Sequence, residues 1–403
     1  MEEESNQLGF STRAIHAGEA PDPVTGASAP NLVMSTTFVT DPGASFSAED
    51  FGETTPFIYT RWGNPTVDQL ERKLAALEEA EACIAFGSGM AAITALFFHA
   101  LKPGDHLIIS DVTYAATAEF SKDFLPRLGI EVTKVDMSDA AKVQAAVRKN
   151  TRLIYAETPA NPLIRLTDIA AVAKIAREAK ALFAVDSTFA TPVATRPLRL
   201  GADFVLHSLT KYMGGHGDAL GGAVLGSRAA MAEIKKGVAI RTGGILSPFN
   251  AWLIMRGLAT LSIRMKAHQE GASAVAAFLE GHPKVKRVIY PGLASHPQHD
   301  LARRQMDNFS GMLTFQVADG PAAARILADR LQLIHYAVSL GHHRSLVFYL
   351  ATEDMLRTSF ALDAEAEASY RRFAGDGIFR FSVGLEDPKD LCSDLERALA
   401  QIP

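Results

Sequence analysis

Cysteine is scarce in this chain: Cys83 and Cys392 are the only two among 403 residues. That scarcity excludes a disulfide framework and a cysteine-rich metal centre, and it fits a reducing compartment. No uninterrupted apolar run reaches the ~18 residues that a membrane span needs. Basic charge is not in excess either, since 40 Lys and Arg face 45 Asp and Glu for a net charge of −5. A nucleic acid or an anionic membrane is therefore not expected as a partner. The amino terminus, Met1-Glu2-Glu3-Glu4-Ser5, lacks the basic-then-apolar order of a signal peptide, so a cytoplasmic protein is expected. Internal repeats and low-complexity tracts are missing as well.

What is present is a chain with 48% hydrophobic and 21% charged residues, long enough for two cores. Residues 1 to about 60 are rich in Pro, Gly, Ser and Thr and poor in periodic pattern, which predicts an extended arm that packs on a neighbour. From about 64 to 260, short apolar runs (Ala82–Phe86, His106–Ser110, Arg152–Ala156, Leu182–Val185) alternate with helical stretches such as Thr167–Lys180. Such alternation predicts an α/β fold with a mainly parallel sheet covered by helices. Ser247 to about Leu279 reads as one long helix leading into a smaller α+β domain. That domain has strands near Gly311–Val317 and Ile378–Val383 and helices near Pro321–Leu331 and Pro388–Leu399. The expected division is an arm over 1–62, an α/β domain over 63–258 and a carboxy-terminal α+β domain over 259–403.

Four segments carry the chemistry. Lys211 follows the strand-like Asp203–His207 within Ser208-Leu209-Thr210-Lys211-Tyr212-Met213-Gly214-Gly215. An amine flanked by hydroxyls and glycines suits covalent attachment of a pyridoxal phosphate aldehyde, with Ser208 and Thr210 as donors to its phosphate. Asp186 ends the apolar run Ala181–Val185, where a carboxylate can pair with a protonated pyridine nitrogen, although a turn cap would use the same residue. Phe86-Gly87-Ser88-Gly89-Met90 reads as strand, glycine turn and helix start, so the backbone of Gly89 and Met90 can face a small anion. It lacks the spacing of a dinucleotide fingerprint or a nucleoside-triphosphate loop. Tyr59 and Arg61, in Ile58–Thr66, add a hydroxyl and a planar fork matched to phosphate oxygens, or else simply an exposed loop.

With these residues the chain resembles the Cys/Met metabolism pyridoxal phosphate enzymes, a family that includes methionine γ-lyase, cystathionine γ-synthase, cystathionine γ-lyase and O-acetylhomoserine sulfhydrylase. The resemblance runs through Thr12–Gly18, Tyr59–Arg61, Gly87–Met90, Glu157–Pro162, Val185-Asp186, Ser208–Tyr212 and Arg380–Glu386. It implies the type I fold of pyridoxal phosphate transferases, with a seven-stranded sheet. It also implies that Tyr114 stacks on the cofactor and acts as an acid toward the leaving group, and that Asn161 contacts the cofactor's phenolic oxygen. By the same resemblance Arg380, with Ser339 nearby, grips the substrate carboxylate. An arginine in an apolar run is costly unless it is paired, which suits a ligand-binding role. Tyr59 and Arg61 would reach a neighbouring subunit's phosphate, so a homotetramer built as a dimer of dimers is expected.

The reaction so implied is γ-elimination or γ-replacement on a γ-substituted homoserine-type L-amino acid, with Lys211 as the base. Four departures from family patterns bear on the choice. Ala116 stands where methionine γ-lyases carry a cysteine, and Ile240-Arg241 replaces their Lys-Asp pair. Ser247–Trp252 looks closer to O-acetylhomoserine sulfhydrylases, or it is only a helix start. His342-His343-Arg344 forms a basic cluster in place of glycine and acidic residues, either to accept an unusual γ substituent or as a solvated loop. Canavanine is then a possible non-sulfur substrate, and an O-acetyl- or O-succinylhomoserine sulfhydrylase or cystathionine γ-synthase is the alternative.

Overall fold

The computed structural model describes residues 8–45, 47 and 56–402. The acidic Met1–Ser5 segment and part of the arm lie outside the described residues.

Seven strands form the first sheet: β1 Ala82–Phe86, β2 His106–Ser110, β3 Glu131–Val135, β4 Thr151–Glu157, β5 Leu182–Asp186, β6 Phe204–His207 and β7 Gly222–Gly226. Their order is β1-β7-β6-β5-β4-β2-β3. From β3 to β6 every pair is parallel, whereas β7 runs antiparallel to both β6 and β1. Runs such as Leu-Phe-Ala-Val in β5 are apolar at consecutive positions because helices cover both faces.

The crossover helices begin where side chains satisfy free backbone N–H groups. Ser88 caps Gly89–Ala100 through Ala91 N–H, and Asp168 caps Ile169–Ala179 through Ala171 N–H. Asn64 caps Pro65–Glu78, with Pro65 at the first helical position.

A second sheet has the order β10-β11-β12-β9-β8, with β8 Val285–Ile289, β9 Met312–Val317, β10 His335–Tyr336, β11 Leu346–Ala351 and β12 Gly377–Ser382. Its own core gathers Phe315, Phe379, Phe381, Leu391 and Leu395 against the helices Leu261–Glu280 and Pro388–Leu399.

Two expectations need correction. The stretch from Ser247 is not one helix: Pro248–Leu258 and Leu261–Glu280 are separate, divided at Ala259-Thr260. Tertiary contacts make the break. Gly257 lies against Gly214, whose carbonyl oxygen would sit 2.2 Å from any added Cβ, and the Gly257 carbonyl is taken by the Arg264 guanidinium at 2.6 Å. The arm, for its part, is not purely extended. It carries a helix, Phe10–His16, that packs on Pro65–Glu78. Arg13 bonds the Ala76 carbonyl at 2.8 Å, and Ala14 joins the core.

Candidate active site

Parallel pairing brings the carboxyl ends of β4, β5 and β6 to one edge of the sheet. Glu157 and Asp186 are direct partners across β4 and β5, and Leu206 pairs with Asp186 from β6. Both carboxylates are buried. Asp186 accepts from Thr188 N–H at 3.0 Å and from the Tyr155 hydroxyl at 3.2 Å. Burial pushes its carboxyl above the ordinary range, so a cationic group placed here would restore the charge. Glu157 accepts from the Thr113 hydroxyl at 2.6 Å, from Tyr114 N–H at 2.7 Å and from Asn161 N–H at 2.7 Å. It therefore ties two loops together: the one that carries Tyr114 and the one that carries Asn161.

Lys211 stands on a tight turn after β6, closed by Lys211 N–H to Ser208 O at 3.1 Å and by Gly215 N–H to Lys211 O at 2.8 Å. Buried Arg264 braces this turn from below, donating to Tyr212 O at 2.7 Å and Met213 O at 3.4 Å. Gly215, at φ +74°, leaves room for that guanidinium, which lies 2.2 Å from where a Cβ would stand. Lys211 Nζ donates to Ser339 Oγ at 3.0 Å. Burial, with Arg380 adding repulsion, lowers the amine to about 8. A substantial neutral fraction near pH 7–8 is what a nucleophilic amine or a base requires.

Beside it lies a donor cradle. Ser88 Oγ takes the N–H of Ala91, while the N–H groups of Gly89 and Met90, in the first turn, have no intrahelical acceptor. A Cβ on Gly89 would stand 3.1 Å from Ser208 Oγ, so that hydroxyl adjoins the same helix end. Ser208 is held by its N–H to Thr188 Oγ1 at 2.8 Å. Thr210 Oγ1 accepts from Gly221 N–H at 3.1 Å and so also fastens the turn to the start of β7.

The second sheet supplies the opposite wall. Arg380 in β12 donates to Asn161 Oδ1 and to Ser339 O, each at 3.1 Å, and makes no ion pair among the described residues. Burial lowers its guanidinium to about 10. Because Arg380 can only donate, the Asn161 oxygen must face it, leaving the amide NH2 to donate elsewhere. Ser339 sits at φ +87°, a left-handed conformation uncommon outside glycine, between Lys211 and Arg380.

Lys211, Ser339, Arg380 and Asn161 thus form one hydrogen-bonded chain across both sheets, with Asp186, Ser208 and Gly89 on the α/β side. Tyr114 lies at the start of helix Ala115–Asp123 with its ring half exposed. Tyr59 and Arg61 form a pair of their own: the guanidinium lies 5.5 Å from the Tyr59 ring centre and donates to Ile240 O at 2.7 Å. No hydrogen bond joins either of them to Lys211, Ser208 or Gly89 among the described residues. Ser247-Pro248 opens a helix, in which Asn250 and Trp252 bond the carbonyls of Leu220 and Pro30. Sequence reasoning missed Glu157, Tyr155 and Arg264. Glu157 carried the signal that Asp186 carried, an acid closing a buried strand.

A cradle of amides and hydroxyls, a buried acid and a lysine of lowered pKa at the edge of a type I α/β sheet define a pyridoxal phosphate enzyme, and these residues fit that cofactor. The chain belongs to the Cys/Met metabolism PLP-dependent enzyme family, whose model matches residues 11–400. It is 41% identical to an L-methionine gamma-lyase of Fusobacterium nucleatum subsp. polymorphum, covering 99% of this chain and 100% of that one. It is 42% identical to a canavanine gamma-lyase of Pseudomonas canavaninivorans, over 98% and 97%. Among solved structures, cystathionine gamma-lyase from Lactobacillus plantarum complexed with L-serine superposes with a TM-score of 0.87 at 36% identity, covering 98% of this chain and 99% of that one.

Proposed function

We propose that this enzyme removes the γ substituent of a homoserine-type L-amino acid. The carrying observation is the link from Lys211 Nζ through Ser339 to Arg380, which sets a base and a carboxylate grip, far apart in sequence, on one short hydrogen-bonded path. The bound cofactor supplies an electron sink for carbanions at the substrate's α and β carbons. Asp186 would keep its ring nitrogen protonated, Gly89, Met90, Ser208 and Thr210 would hold its phosphate, and Lys211 would anchor it. Tyr114 would lie against the ring, and the free Asn161 amide would donate to the phenolic oxygen.

Arg380 orients the substrate by its α-carboxylate, and Ser339 keeps the Lys211 amine beside the same carbon. Lys211 takes the Cα proton, and Tyr114 protonates the departing group X. The balance is X–CH2–CH2–CH(NH3+)–COO− plus water giving XH, 2-oxobutyrate and ammonium. Methionine and canavanine are the candidate substrates, supported by the relatives; if water enters at Cγ instead, canavanine gives homoserine. Ala116 and the Ile240-Arg241 pair, which differ from methionine γ-lyases, weaken a strict methionine γ-lyase assignment.

We assign an arm to 1–62, the cofactor domain to 63–258 and the substrate-gripping domain to 259–403, a division supported by the two sheets and by the break at Ala259-Thr260. Tyr59 and Arg61 would serve a neighbouring subunit in a homotetramer. Purified protein offered methionine, canavanine, O-acetylhomoserine with sulfide, and O-succinylhomoserine with cysteine, with products identified by mass spectrometry, tests the reading. Release of the γ group from methionine or canavanine is expected. Turnover only with an added thiol would make it a sulfhydrylase or a cystathionine γ-synthase.

A further inference from the structure

The basic run after Ser339 does not lie idle on the surface. The His342 Nε2 atom is 3.3 Å from Ser339 Oγ, the same oxygen that accepts from Lys211 Nζ at 3.0 Å. A serine hydroxyl owns one proton. With one lone pair of its oxygen receiving from Lys211, that proton can point at His342 Nε2 when the ring is the tautomer unprotonated there. In that tautomer the donor directions run one way, from lysine to serine to imidazole.

The loop is built to hold this line. Gly341, at φ +72°, passes so close to the Lys211 turn that a Cβ would be 2.6 Å from Tyr212 N, and its N–H is bonded to Ser382 Oγ at 2.8 Å. His343 N–H bonds Gly215 O at 2.9 Å, clamping the far side of the loop to the lysine turn. The His342 ring occupies the space left at Gly217, where a Cβ would fall 2.8 Å from Cε1. Ser339 itself keeps its positive φ, and its carbonyl is fixed by Arg380.

We propose that His342 is a proton-relay residue for Lys211, acting through Ser339. The inference rests on the reading of Lys211 as the base. Once Lys211 has accepted a proton from substrate carbon it is an ammonium. It gives one proton to Ser339 Oγ as the hydroxyl proton passes to His342 Nε2, returning lysine to the free amine and leaving an imidazolium that loses its Nδ1 proton to solvent; exchange with water, Nδ1 taking up a proton and Nε2 giving one up, then restores the tautomer that accepts at Nε2. No other reactant is needed.

The electrostatics agree with a ring that starts neutral. Burial holds the His342 midpoint below 6.5, with Lys211 and His343 adding repulsion and Asp218 opposing them. His216, whose ring centre lies 5.8 Å from that of His343, and Arg380, bonded to the Ser339 carbonyl, are the other titratable and charged groups around it.

Two measurements test it. In full-length protein without cofactor, Lys211 is a free amine, the state in which the relay operates. Histidine-labelled NMR should place the His342 midpoint below 6.5, and Lys211→Met and Ser339→Ala should each shift it upward. In holoenzyme turning over whichever γ-substituted amino acid it accepts, His342→Ala should lower kcat by about a hundredfold with KM nearly unchanged. Added imidazole should restore part of the rate in proportion to its neutral form. His342→Gln, which fills the space but neither accepts nor releases a proton in this pH range, should be equally slow and not respond to imidazole.

A His342 midpoint indifferent to both Lys211→Met and Ser339→Ala overturns the relay, as does a His342→Gln enzyme with the wild-type pH profile. Coupling by NMR without turnover of any γ-substituted amino acid would keep the relay and reject the substrate class.

Discussion

Lys211 is surrounded so that its proton is loosely held. An amine that titrates near 8 in the folded chain and near 10.5 in the unfolded one binds fewer protons when folded. Stability of the cofactor-free protein therefore rises through the window from about 8 to 10.5, because the cost of the buried charge, present below it, disappears. Thermal unfolding should show Lys211→Met more stable than wild type at pH 7, with the gap closing by pH 10.5.

The other residues divide by role. Arg380→Ala should keep the cofactor and its visible band while substrate affinity falls by two to three powers of ten, since a lost charge-assisted pair in a desolvated site costs roughly 3–4 kcal/mol. Arg61→Ala should do the reverse, shedding cofactor that excess pyridoxal phosphate partly restores; equilibrium dialysis and initial rates separate the two. Glu157→Gln sets an amide NH2 against one of the three donors that Glu157 accepts. Denaturant unfolding should show a loss of about 2 kcal/mol. Lys211 was legible by its hydroxyl and glycine flanks, Asp186 by closing an apolar strand, and Arg380 through the family resemblance, as an arginine inside an apolar run. Glu157 was passed over because the same cue, an acid ending an apolar strand, was read only at Asp186.

At the scale of elements, β1, β2 and the helix Pro388–Leu399 have the bounds read from the sequence, since each apolar pattern is flanked by polar or turn residues. The break at Ala259-Thr260 was not legible. Neither residue is a helix breaker, and what interrupts the helix is Arg264, reaching back to the Gly257 carbonyl and across to the Lys211 turn. The reversal of β7 was hidden too, because apolar strands read the same in either direction. It matters for the site, since β7 brings Gly222 against the Ser88 turn, where a Cβ would lie 2.1 Å from Ser88 O. Gly222→Ala should push the helix start away, costing roughly 1–3 kcal/mol of stability by overpacking and weakening cofactor retention in the same protein.

The whole molecule joins two sheets through one polar path, so the reading of the α/β half and that of the carboxy-terminal half stand or fall together. The arm leaves apolar side chains uncovered. Met34 and Val39 are largely exposed, and Tyr59 and Arg61 serve no bond to the Lys211 site. Sedimentation should give a tetramer or at least a dimer, and an active monomer would refute the shared-site arrangement. None of the described helices is long and apolar enough to cross a membrane.

The most direct measurement is borohydride reduction of the purified yellow protein followed by peptide mass spectrometry. Cofactor mass fixed on the peptide at Lys211, with loss of the visible band, is the predicted result. Colourless protein that gains no band from added pyridoxal phosphate, or a label on a different lysine, would contradict it.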